Sequence, residues 1–489
     1  MLTAKEIISA TCGKLISGNI SAVFSDASTD SRTIKNNSIF IPISGNRHDG
    51  HDFIEDALSS GASGVIFSKI PKTQIPNPNK VFIKVKNTTK ALAEIAKYHR
   101  NKFDVPLIAV TGSSGKTTTK DMIASILAQQ YKILKTEGNY NTEIGLPLTL
   151  FKLNSSHKAV VLEMGMQNAG EIKELALIAR PNIAVITNIG EAHIKNLKTK
   201  NKIAAAKSEI LSGLNKNNFA VLPADDEYFK FLKAKAKKPK VISFGINNPA
   251  DITAGRISIK NGKTYAVINC RGTEFDIEIP LPGIHNVYNA MASIAAAKAF
   301  NISNDLIVSG IKSFRPSSNR MDIINKSGIT IINDTYNANP SSVKAAIQVL
   351  SGYQTRKIAI LGDMLELGRD SSKYHGEIGK TIVADKIDIL IAIGQKSKET
   401  ADKALKCGMK KTNVLYFEKK ETAVQIIKDL IKTNDVILVK GSRDMKMEEI
   451  VEELLKSGLA SEPGLDKKSN NRKYRRSIHN RRISKIMRH

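Results

Sequence analysis

The stretch that decides the fold is "VPLIAVTGSSGKTTTKDMIASILAQQ", residues 105–130. An apolar run typical of a buried strand ends in a glycine turn, and a helical pattern follows directly. A helix that begins after such a turn offers free N–H groups to a phosphate. The common phosphate loop is G-x-x-x-x-G-K-[ST], and Gly115, Lys116 and Thr117 match its end. Val110 stands where the first glycine is expected, so the residues leave three interpretations: a damaged nucleotide site, a different phosphate cradle or a plain turn.

Apolar strand-like runs alternate with helical patterns from residue 105 onward. Such alternation predicts parallel sheets with crossover helices, and therefore an α/β fold. A second series begins after residue 320, which predicts a second α/β unit of Rossmann-like form. The predicted helices are 116–130, 170–179, 200–213, 341–351, 373–384, 397–406, 420–432 and 446–457.

The chain has 489 residues, too many for one compact core, so several domains are expected. The opening stretch 1–18 carries charges among its apolar positions, which predicts an amphipathic helix rather than a signal peptide. The Pro- and Asn-rich stretch 71–81 predicts a loop. We predict a small N-terminal α/β domain, a central parallel-sheet domain with the phosphate loop, a C-terminal α/β domain and a disordered basic segment. The predicted bounds are 1–85, 86–315, 316–459 and 460–489.

The charge of the chain is strongly basic, with 74 Lys and Arg against 46 Asp and Glu. Ten of these cations lie in residues 467–489, where no acid occurs. A basic nucleic-acid-binding ATPase is therefore one candidate class. The absence of Trp and an aromatic content of 5% weigh against it, and we expect no nucleic-acid partner. The basic segment could instead meet an anionic membrane surface or serve only solubility.

Three cysteines, Cys12, Cys270 and Cys407, lie far apart and form no CxxC pair. This pattern predicts neither a disulfide framework nor a zinc site, and it fits a reducing compartment. No apolar run approaches the ~20 residues that a membrane helix needs. We therefore expect a cytoplasmic protein.

Side chains near the loop suggest a nucleotide and a metal ion. Lys116 can reach the β and γ phosphates of ATP, and the Thr117 hydroxyl can ligate Mg²⁺. One later strand delivers Glu163, and Glu191 and His193 follow just past another. Ligands gather at the carboxyl ends of parallel strands. Each residue also has a plainer interpretation, since Glu163 could be a surface acid and His193 a helix cap. Helical spacing alone favours a solvated position for Lys207.

The loop "VTGSSGKTTTK" (110–120) resembles the shortened loop of the Mur ligases and folylpolyglutamate synthetases, which are ATP-dependent amide-forming enzymes of three domains. The missing glycine is normal in that family. The resemblance covers residues 25 to 457 and is closest to the MurF type, which adds D-Ala-D-Ala to UDP-MurNAc-tripeptide. The most specific piece is "NDTYNANPSS" (333–342). Further similar segments are "STDSRTIKNNSIFIPISGNRHDGHDFIEDALSSGA" (28–62), "EGNYNTEIGLPLTL" (137–150), "GIHNVYNAMASIAAA" (283–297), "ILGDMLELG" (360–368) with His375, and "VKGSRDMKMEEIV" (439–451).

The resemblance implies that the terminal carboxylate of the tripeptide reacts with ATP to an acyl phosphate, which the D-Ala-D-Ala amine then attacks. The implied cofactors are ATP and Mg²⁺, and the chain is expected to act as a monomer. The implied catalytic residues are Lys116, Lys207, His193 and Arg320. The implied ATP site is Thr111, Gly112, Ser113, Ser114, Gly115, Lys116, Thr117, Thr118, His285, Asn286, Asn289, Arg320 and Asp334. The implied metal ligands are Thr117, Glu163, His193 and a carbamylated Lys207. The implied substrate contacts are Ser31, Arg32, Asp49, His51, Asn139, Asn141, Tyr336, Asn337 and Asn339.

Several alternatives stay open at this point. Many family members have Asn where Thr142 stands, which leaves the role of that position open. The competing enzymes are another Mur ligase and a folylpolyglutamate synthetase. The DSR…DGH segment weighs against the folate enzyme, and "DTYNANP" weighs against the other Mur types. From the residues alone, Asn337 and Asn339 could be turn residues before Pro340. The third residue of the peptide could be diaminopimelate or lysine.

Overall fold

The computed structural model describes residues 1–45, 48–69 and 79–456. Its first unit is built on a five-stranded sheet of order β2-β7-β6-β5-β4. The elements are β1 (Leu2–Thr3), α1 (Ala4–Thr11), β2 (Lys14–Ser17), β3 (Val23–Phe24), β4 (Asp26–Ser28), β5 (Ser38–Phe40), α2 (Ile54–Ser59), β6 (Ala62–Phe67), β7 (Val81–Lys84) and α3 (Thr88–Asn101), with 3₁₀ turns at Ser31–Thr33 and Gly50–Phe53.

The helix predicted over 1–18 is wrong in its second half. Helix α1 ends at Cys12, which takes a left-handed conformation with φ 51°. Gly13 follows, and a Cβ there would lie 2.9 Å from the Ile83 side chain. The chain therefore turns and returns as strand β2, which pairs antiparallel with β7. Most of the loop predicted at 71–81 lies outside the described residues.

The central unit is organised by a nine-stranded sheet of order β16-β15-β14-β13-β12-β11-β8-β10-β9. The elements up to β12 are β8 (Leu107–Thr111), α4 (Lys116–Leu127), β9 (Ile133–Lys135), α5 (Gly145–Phe151), β10 (Ala159–Glu163), α6 (Glu171–Ala179), β11 (Ile183–Ile186), α7 (Ile194–Leu197), α8 (Lys200–Ser208), a 3₁₀ turn at Glu209–Leu211 and β12 (Phe219–Pro223). The rest are α9 (Phe229–Lys235), β13 (Lys240–Gly245), β14 (Ile252–Lys260), β15 (Lys263–Cys270), β16 (Thr273–Ile279), α10 (Ile284–Ala299) and α11 (Asn304–Ser313).

Strand β8 lies between β10 and β11, and all three run parallel. The register places Glu163 beside Val110 and Ile186 beside Thr111. Because the three strands end together, the loop after β8 meets the segments that follow β10 and β11. The predicted parallel sheet is confirmed here, whereas the antiparallel strands β14 to β16 were not predicted.

The C-terminal unit holds a six-stranded sheet of order β17-β18-β22-β19-β20-β21. Its elements are β17 (Asp322–Lys326), β18 (Ile329–Asn333), α12 (Pro340–Ser351), β19 (Lys357–Gly362), α13 (Ser371–Ala384), β20 (Ile389–Ile393), α14 (Lys398–Lys406), β21 (Val414–Phe417), α15 (Lys420–Leu430), β22 (Val436–Lys440) and α16 (Glu448–Lys456), with 3₁₀ turns at Gly368–Asp370, Lys411–Asn413 and Arg443–Met445. The predicted second α/β series is confirmed, and its helices begin and end within two residues of the predicted bounds. The basic segment 460–489 lies outside the described residues, and the predicted domain bounds stay a prediction.

Helix α4 connects the phosphate loop to the junction between the central and C-terminal units. Its Asp121 is buried and accepts hydrogen bonds from Lys135 at 2.9 Å and from the Ser317 hydroxyl at 2.8 Å. Ser317 belongs to the segment that leads into β17. The helix that begins at the loop is therefore tied to the start of the C-terminal unit. Among the described residues, no helix combines the length and the apolar character that crossing a membrane requires.

Candidate active site

The phosphate loop depends on glycine at two positions because neighbouring side chains pack directly against its backbone. A Cβ at Gly112 would lie 1.8 Å from Thr187 Oγ1, and a Cβ at Gly115 would lie 2.3 Å from Asn289 Oδ1. Gly115 also takes φ 76° as the residue that precedes helix α4. The loop is therefore a closely packed cradle at a helix N-terminus, and the plain-turn interpretation does not account for these contacts.

Two lysines meet behind this cradle. The Nζ atoms of Lys116 and Lys207 each donate a hydrogen bond to the Gly112 carbonyl oxygen at 2.9 Å. Lys207 is only 1% exposed, so the solvated position that helical spacing favoured is wrong. Burial lowers the pKa of Lys207 well below its ordinary value, and the charge of Lys116 lowers that pKa further. Lys202, on the same helix α8, is exposed.

Glu163 ends strand β10 and is buried at the start of helix α4. The Thr117 hydroxyl donates to its Oε2 at 2.7 Å, and Asn141 Nδ2 donates to its Oε1 at 2.8 Å. The surface-acid interpretation of Glu163 is therefore wrong. Carboxylate, hydroxyl and amide oxygens are the ligands that Mg²⁺ prefers. Among the described residues, no group of three His, Cys, Asp or Glu is placed to hold a metal ion, so Thr117 and Glu163 would have to be completed by other ligands.

His193 faces a carboxylate that the sequence did not reveal. It precedes helix α7 with φ 65°, and its Nδ1 lies 3.2 Å from Oε2 of Glu366 in the C-terminal unit. Glu366 itself has φ 64°, and its carbonyl accepts a hydrogen bond from the Lys195 amide at 3.0 Å. Burial lowers the pKa of His193, and Glu366 opposes that shift. The contact joins the central and C-terminal units across the site.

Three of the predicted ATP contacts, His285, Asn286 and Asn289, lie at the start of helix α10 on one side of the cleft. Asn286 and Asn289 are buried and hydrogen-bonded to each other at 3.1 Å. Asn289 also accepts a hydrogen bond from the Thr119 hydroxyl at 3.3 Å, which couples α10 to α4. Burial lowers the pKa of the adjacent His285 to about 4, so this imidazole is neutral. The beginning of α10 is therefore a neutral, polar surface.

Asp225 lies two residues after the end of strand β12 and is a second residue that sequence reasoning missed. Its carboxylate accepts hydrogen bonds from the amides of residues 246–248 and from the Tyr288 hydroxyl at 2.7 Å. Asp225 and Tyr288 both line the cleft near His285. The position of Asp225 at a strand end in "LPADD" is the signal that could have found it.

The opposite wall of the cleft comes from the C-terminal unit. The Arg320 guanidinium carbon lies 3.7 Å from the centre of the Tyr336 ring. The Asp334 carboxylate pairs with Lys440. Asn339 caps helix α12 through the Ser342 amide, as the turn interpretation expected. The Asn339 side chain also donates to the Ser113 carbonyl at 3.4 Å, so it reaches the phosphate loop as well.

The two walls enclose a cleft of about 760 Å³. It brings together most of the residues predicted for ATP and for the amine substrate. The predicted residues that line it are Ser113, Ser114, Gly115, Lys116, Thr117, Thr118, Asn139, Asn141, Glu163, His193, His285, Asn286, Asn289, Arg320, Asp334, Tyr336, Asn337 and Asn339. Thr111, Gly112 and Lys207 lie behind the loop and do not line the cleft.

Four predicted substrate residues lie in the N-terminal unit, apart from this cleft. Ser31 is buried, and Arg32 is exposed in a pair with Asp30. Asp49 accepts from His51 Nδ1 at 2.7 Å. The structure therefore separates the predicted site into a main cleft and a second cluster at the N-terminal unit.

Comparison with protein families matches three consecutive parts of the chain. Residues 25–100 match the model described as Mur ligase family, catalytic domain. Residues 110–297 match the Mur ligase middle domain, and residues 319–443 match the Mur ligase, glutamate ligase domain. A relative from Bacillus subtilis, a UDP-N-acetylmuramoyl-tripeptide–D-alanyl-D-alanine ligase, is 39% identical over 94% of this chain and 99% of its own length. The chain belongs to the Mur ligase family.

Other family members agree in sequence and in fold. The Escherichia coli ligase of the same name is 32% identical over 88% of this chain and 93% of its own length. The crystal structure of MurF from Acinetobacter baumannii superposes with a TM-score of 0.86 at 31% identity, covering 93% of this chain and 99% of that one. MurF from Thermotoga maritima, solved in complex with ADP, superposes with a TM-score of 0.78 at 27% identity, covering 88% and 97%. The three-domain Mur ligase architecture is therefore established for this chain.

Proposed function

We propose that this chain is an ATP-dependent ligase that joins D-Ala-D-Ala to the terminal carboxylate of UDP-MurNAc-tripeptide. The reaction produces UDP-MurNAc-pentapeptide, a precursor of peptidoglycan. The observation that carries the proposal is the cleft between two units, with a phosphate cradle on one wall and Arg320, Tyr336 and Asn337 on the other. A reaction in which ATP activates a carboxylate and an amine then attacks the acyl phosphate needs both walls. The curated relatives named for this reaction span nearly the whole chain.

In the first step, a carboxylate oxygen of the tripeptide attacks the γ-phosphorus of ATP, and ADP leaves. Phosphoryl transfer needs positioning and neutralisation of charge more than covalent help from the protein. The amides of the phosphate loop and Lys116 would hold the β and γ phosphates. Burial lowers the pKa of Lys116, and the charge of Arg320 lowers it further; Arg320 would contact the same phosphates.

Mg²⁺ fits the donor set at the start of helix α4. Thr117 and Glu163 would hold it, and it would neutralise charge on the β and γ phosphates. The Asn141 amide orients Glu163 through its hydrogen bond to Oε1. His193 is a further candidate ligand because its pKa is lowered, which favours the neutral imidazole.

Lys207 has a role only if its ammonium is lost. A second ammonium beside Lys116 would repel a cation in this region, and burial already disfavours it. A carbamate formed on Nζ would present oxygens, which a hard cation prefers. We therefore place a neutral or carbamylated Lys207 next to the metal site.

In the second step, the D-Ala-D-Ala amine attacks the carbonyl carbon of the acyl phosphate, and phosphate leaves as the amide bond forms. Tyr336, Asn337 and Asn339 would line the path of the amine.

At the other end of the first substrate, the uridine nucleotide would contact the N-terminal unit. The candidate contacts there are Ser31, Arg32, Asp49 and His51. Lys69 and His51 hold the pKa of the Asp49 carboxyl well below its usual range, so Asp49 remains an anion that can accept hydrogen bonds.

Phosphate release by the purified protein tests the proposal. Release should require ATP, UDP-MurNAc-tripeptide and D-Ala-D-Ala together. Release that depends on a folate and glutamate, or on a different amino acid with a shorter UDP-MurNAc peptide, would instead support another member of the family. Release stimulated by nucleic acid alone would support the basic ATPase.

The basic segment 460–489 stays a prediction outside the described residues. We propose that it increases attraction to an anionic membrane surface and is dispensable for turnover. Removal of residues 460–489 should leave phosphate release unchanged and should weaken binding to anionic vesicles, more strongly at low salt. Equal vesicle binding with and without the segment would overturn this role. A monomeric state likewise stays a prediction, which sedimentation would test.

A further inference from the structure

The carboxylate of D-Ala-D-Ala lacks a receptor among the roles assigned above. Given the proposed function, the dipeptide enters with an amine that must reach the acyl phosphate and a carboxylate that must find a cation. Among the described residues, the C-terminal unit lines the cleft with three cations, namely Arg320, Lys440 and Arg443. The contacts of each cation decide which of them is free for that carboxylate.

Lys440 is already neutralised. It is buried, it pairs with the Asp334 carboxylate, and it also donates to the Asn337 carbonyl at 2.9 Å. Arg320 lines the cleft together with the phosphate loop and stacks on the Tyr336 ring at 3.7 Å, and we assign it to the phosphates of ATP. An anion bound there would compete with the γ-phosphate of ATP.

Arg443 has a different environment. Its Nη1 donates to Glu448 Oε1 at 2.9 Å, and its backbone amide donates to Asn337 Oδ1 at 3.4 Å. Its Nε and Nη2 atoms make no hydrogen bond to any residue that the structure describes, and the side chain is 57% exposed. Glu448 therefore holds one corner of the guanidinium while the Nε–Nη2 edge stays available. This edge binds a carboxylate through two parallel hydrogen bonds.

The dimensions of the cleft fit a dipeptide. Both guanidiniums lie near the Tyr336 ring. The guanidinium carbon of Arg320 lies 3.7 Å from the ring centre, and that of Arg443 lies 5.8 Å from it. Two residues of extended chain span about 7 Å. Because both guanidiniums lie close to this one ring, a dipeptide whose amine lies near the phosphate loop is long enough for its carboxylate to reach Arg443.

We propose that Arg443 is the receptor for the C-terminal carboxylate of D-Ala-D-Ala and so determines specificity for the free acid. Glu448 is a positioning residue that holds the guanidinium, and Asn337 holds the backbone of Arg443. The inference rests on the proposed function and adds to it the group that recognises the second substrate.

The test compares D-Ala-D-Ala with its C-terminal amide as substrates, using the full chain with ATP and UDP-MurNAc-tripeptide. The wild-type protein should prefer the acid by about 10–100-fold in kcat/KM, as expected for a charge-assisted pair. Arg443→Ala should raise KM for D-Ala-D-Ala and bring the preference close to one. KM for ATP and for the UDP substrate should stay unchanged. Arg443→Lys should retain an intermediate preference.

Arg369→Ala is the matched control, because Arg369 is an exposed arginine of the same unit that does not line the cleft. It should keep the wild-type preference, and thermal unfolding should find all variants folded. An undiminished preference for the acid in Arg443→Ala would overturn the role of Arg443 and leave the proposed function intact. A wild-type protein that fails to use D-Ala-D-Ala at all would overturn the proposed function itself, and this inference with it.

Discussion

Lys116 and Lys207 both donate hydrogen bonds to the same acceptor, the carbonyl oxygen of Gly112, each at 2.9 Å. Two ammonium groups this close repel each other strongly when one of them, Lys207, is buried. Burial lowers the pKa of both lysines, and the charge of Lys116 lowers that of Lys207 further, well below its ordinary value. The catalytic cradle therefore contains one lysine that should act as a cation and one that should not.

Lys207→Ala should lose most of the activity, because it removes the proposed carbamate oxygens. High concentrations of a small carboxylate such as acetate should restore part of the activity by occupying the vacated space. Lys207→Arg should stay inactive, because a guanidinium keeps its charge and forms no carbamate. Lys202→Ala, an exposed lysine on the same helix, is the control and should match the wild type. Substantial turnover by Lys207→Arg would rule out the proposed role.

Lys207 should also lower the stability of the folded protein near neutral pH. A lysine whose pKa is depressed in the folded state opposes folding at low pH, and the cost is relieved as pH rises toward the ordinary value of 10.5. Lys207→Met keeps the volume, and Lys116 still donates to Gly112. We expect its Tm near neutral pH to exceed that of the wild type by at least about 2 °C, the shift that ~1 kcal/mol gives a domain of this size. The difference should shrink between about pH 7 and about pH 9.5. A Tm difference that is constant with pH would contradict the assigned pKa direction.

Lys116→Ala should remove the chemical step and leave the fold intact. In the proposed reaction its ammonium holds the γ-phosphate, while its carbonyl partner Gly112 keeps the hydrogen bond from Lys207. We expect kcat to fall by at least about 10²–10³-fold, the range for loss of one group that stabilises developing charge. Phosphate release and circular dichroism measure the two effects separately. A folded variant with normal turnover would exclude the ATP site.

Ligands should draw the central and C-terminal units together. ATP would contact Lys116 in one unit and Arg320 in the other, and the His193–Glu366 contact already bridges them. ATP with UDP-MurNAc-tripeptide should therefore reduce the radius of gyration in small-angle scattering. UDP alone, which would contact only the N-terminal unit, is the control and should change it less. Identical scattering curves with and without both ligands would contradict closure.

The sequence predicted the features that depend on local pattern. The strand, turn and helix of 105–130 carry their own signals, and parallel strands bring Glu163 to the loop whatever the rest of the chain does. The contact between His193 and Glu366 was not predictable in this way. Glu366 comes from another unit and takes a left-handed backbone conformation without being glycine, so no local pattern marks it.

For Lys207, the local pattern predicted the wrong environment. Its helix has a buried face that includes Ile203, Ala204 and Ala206. Spacing alone assigns a lysine to solvent, but the partner of Lys207 is the loop carbonyl at Gly112, far away in sequence. The resemblance to a known family supplied the role that periodicity missed. The antiparallel strands β14 to β16 were not predicted, because the strand–helix alternation that predicts parallel sheets gives no signal for hairpins.

In the proposed reaction, ATP activates a carboxylate before the amine attacks. The direct measurement uses UDP-MurNAc-tripeptide labelled with ¹⁸O in both oxygens of its terminal carboxylate, with mass spectrometry of both products. An acyl phosphate requires one labelled oxygen to leave with phosphate and the other to remain in the new amide. We predict singly labelled phosphate and a UDP-MurNAc-pentapeptide that retains one ¹⁸O. Unlabelled phosphate released together with the pentapeptide would contradict the account.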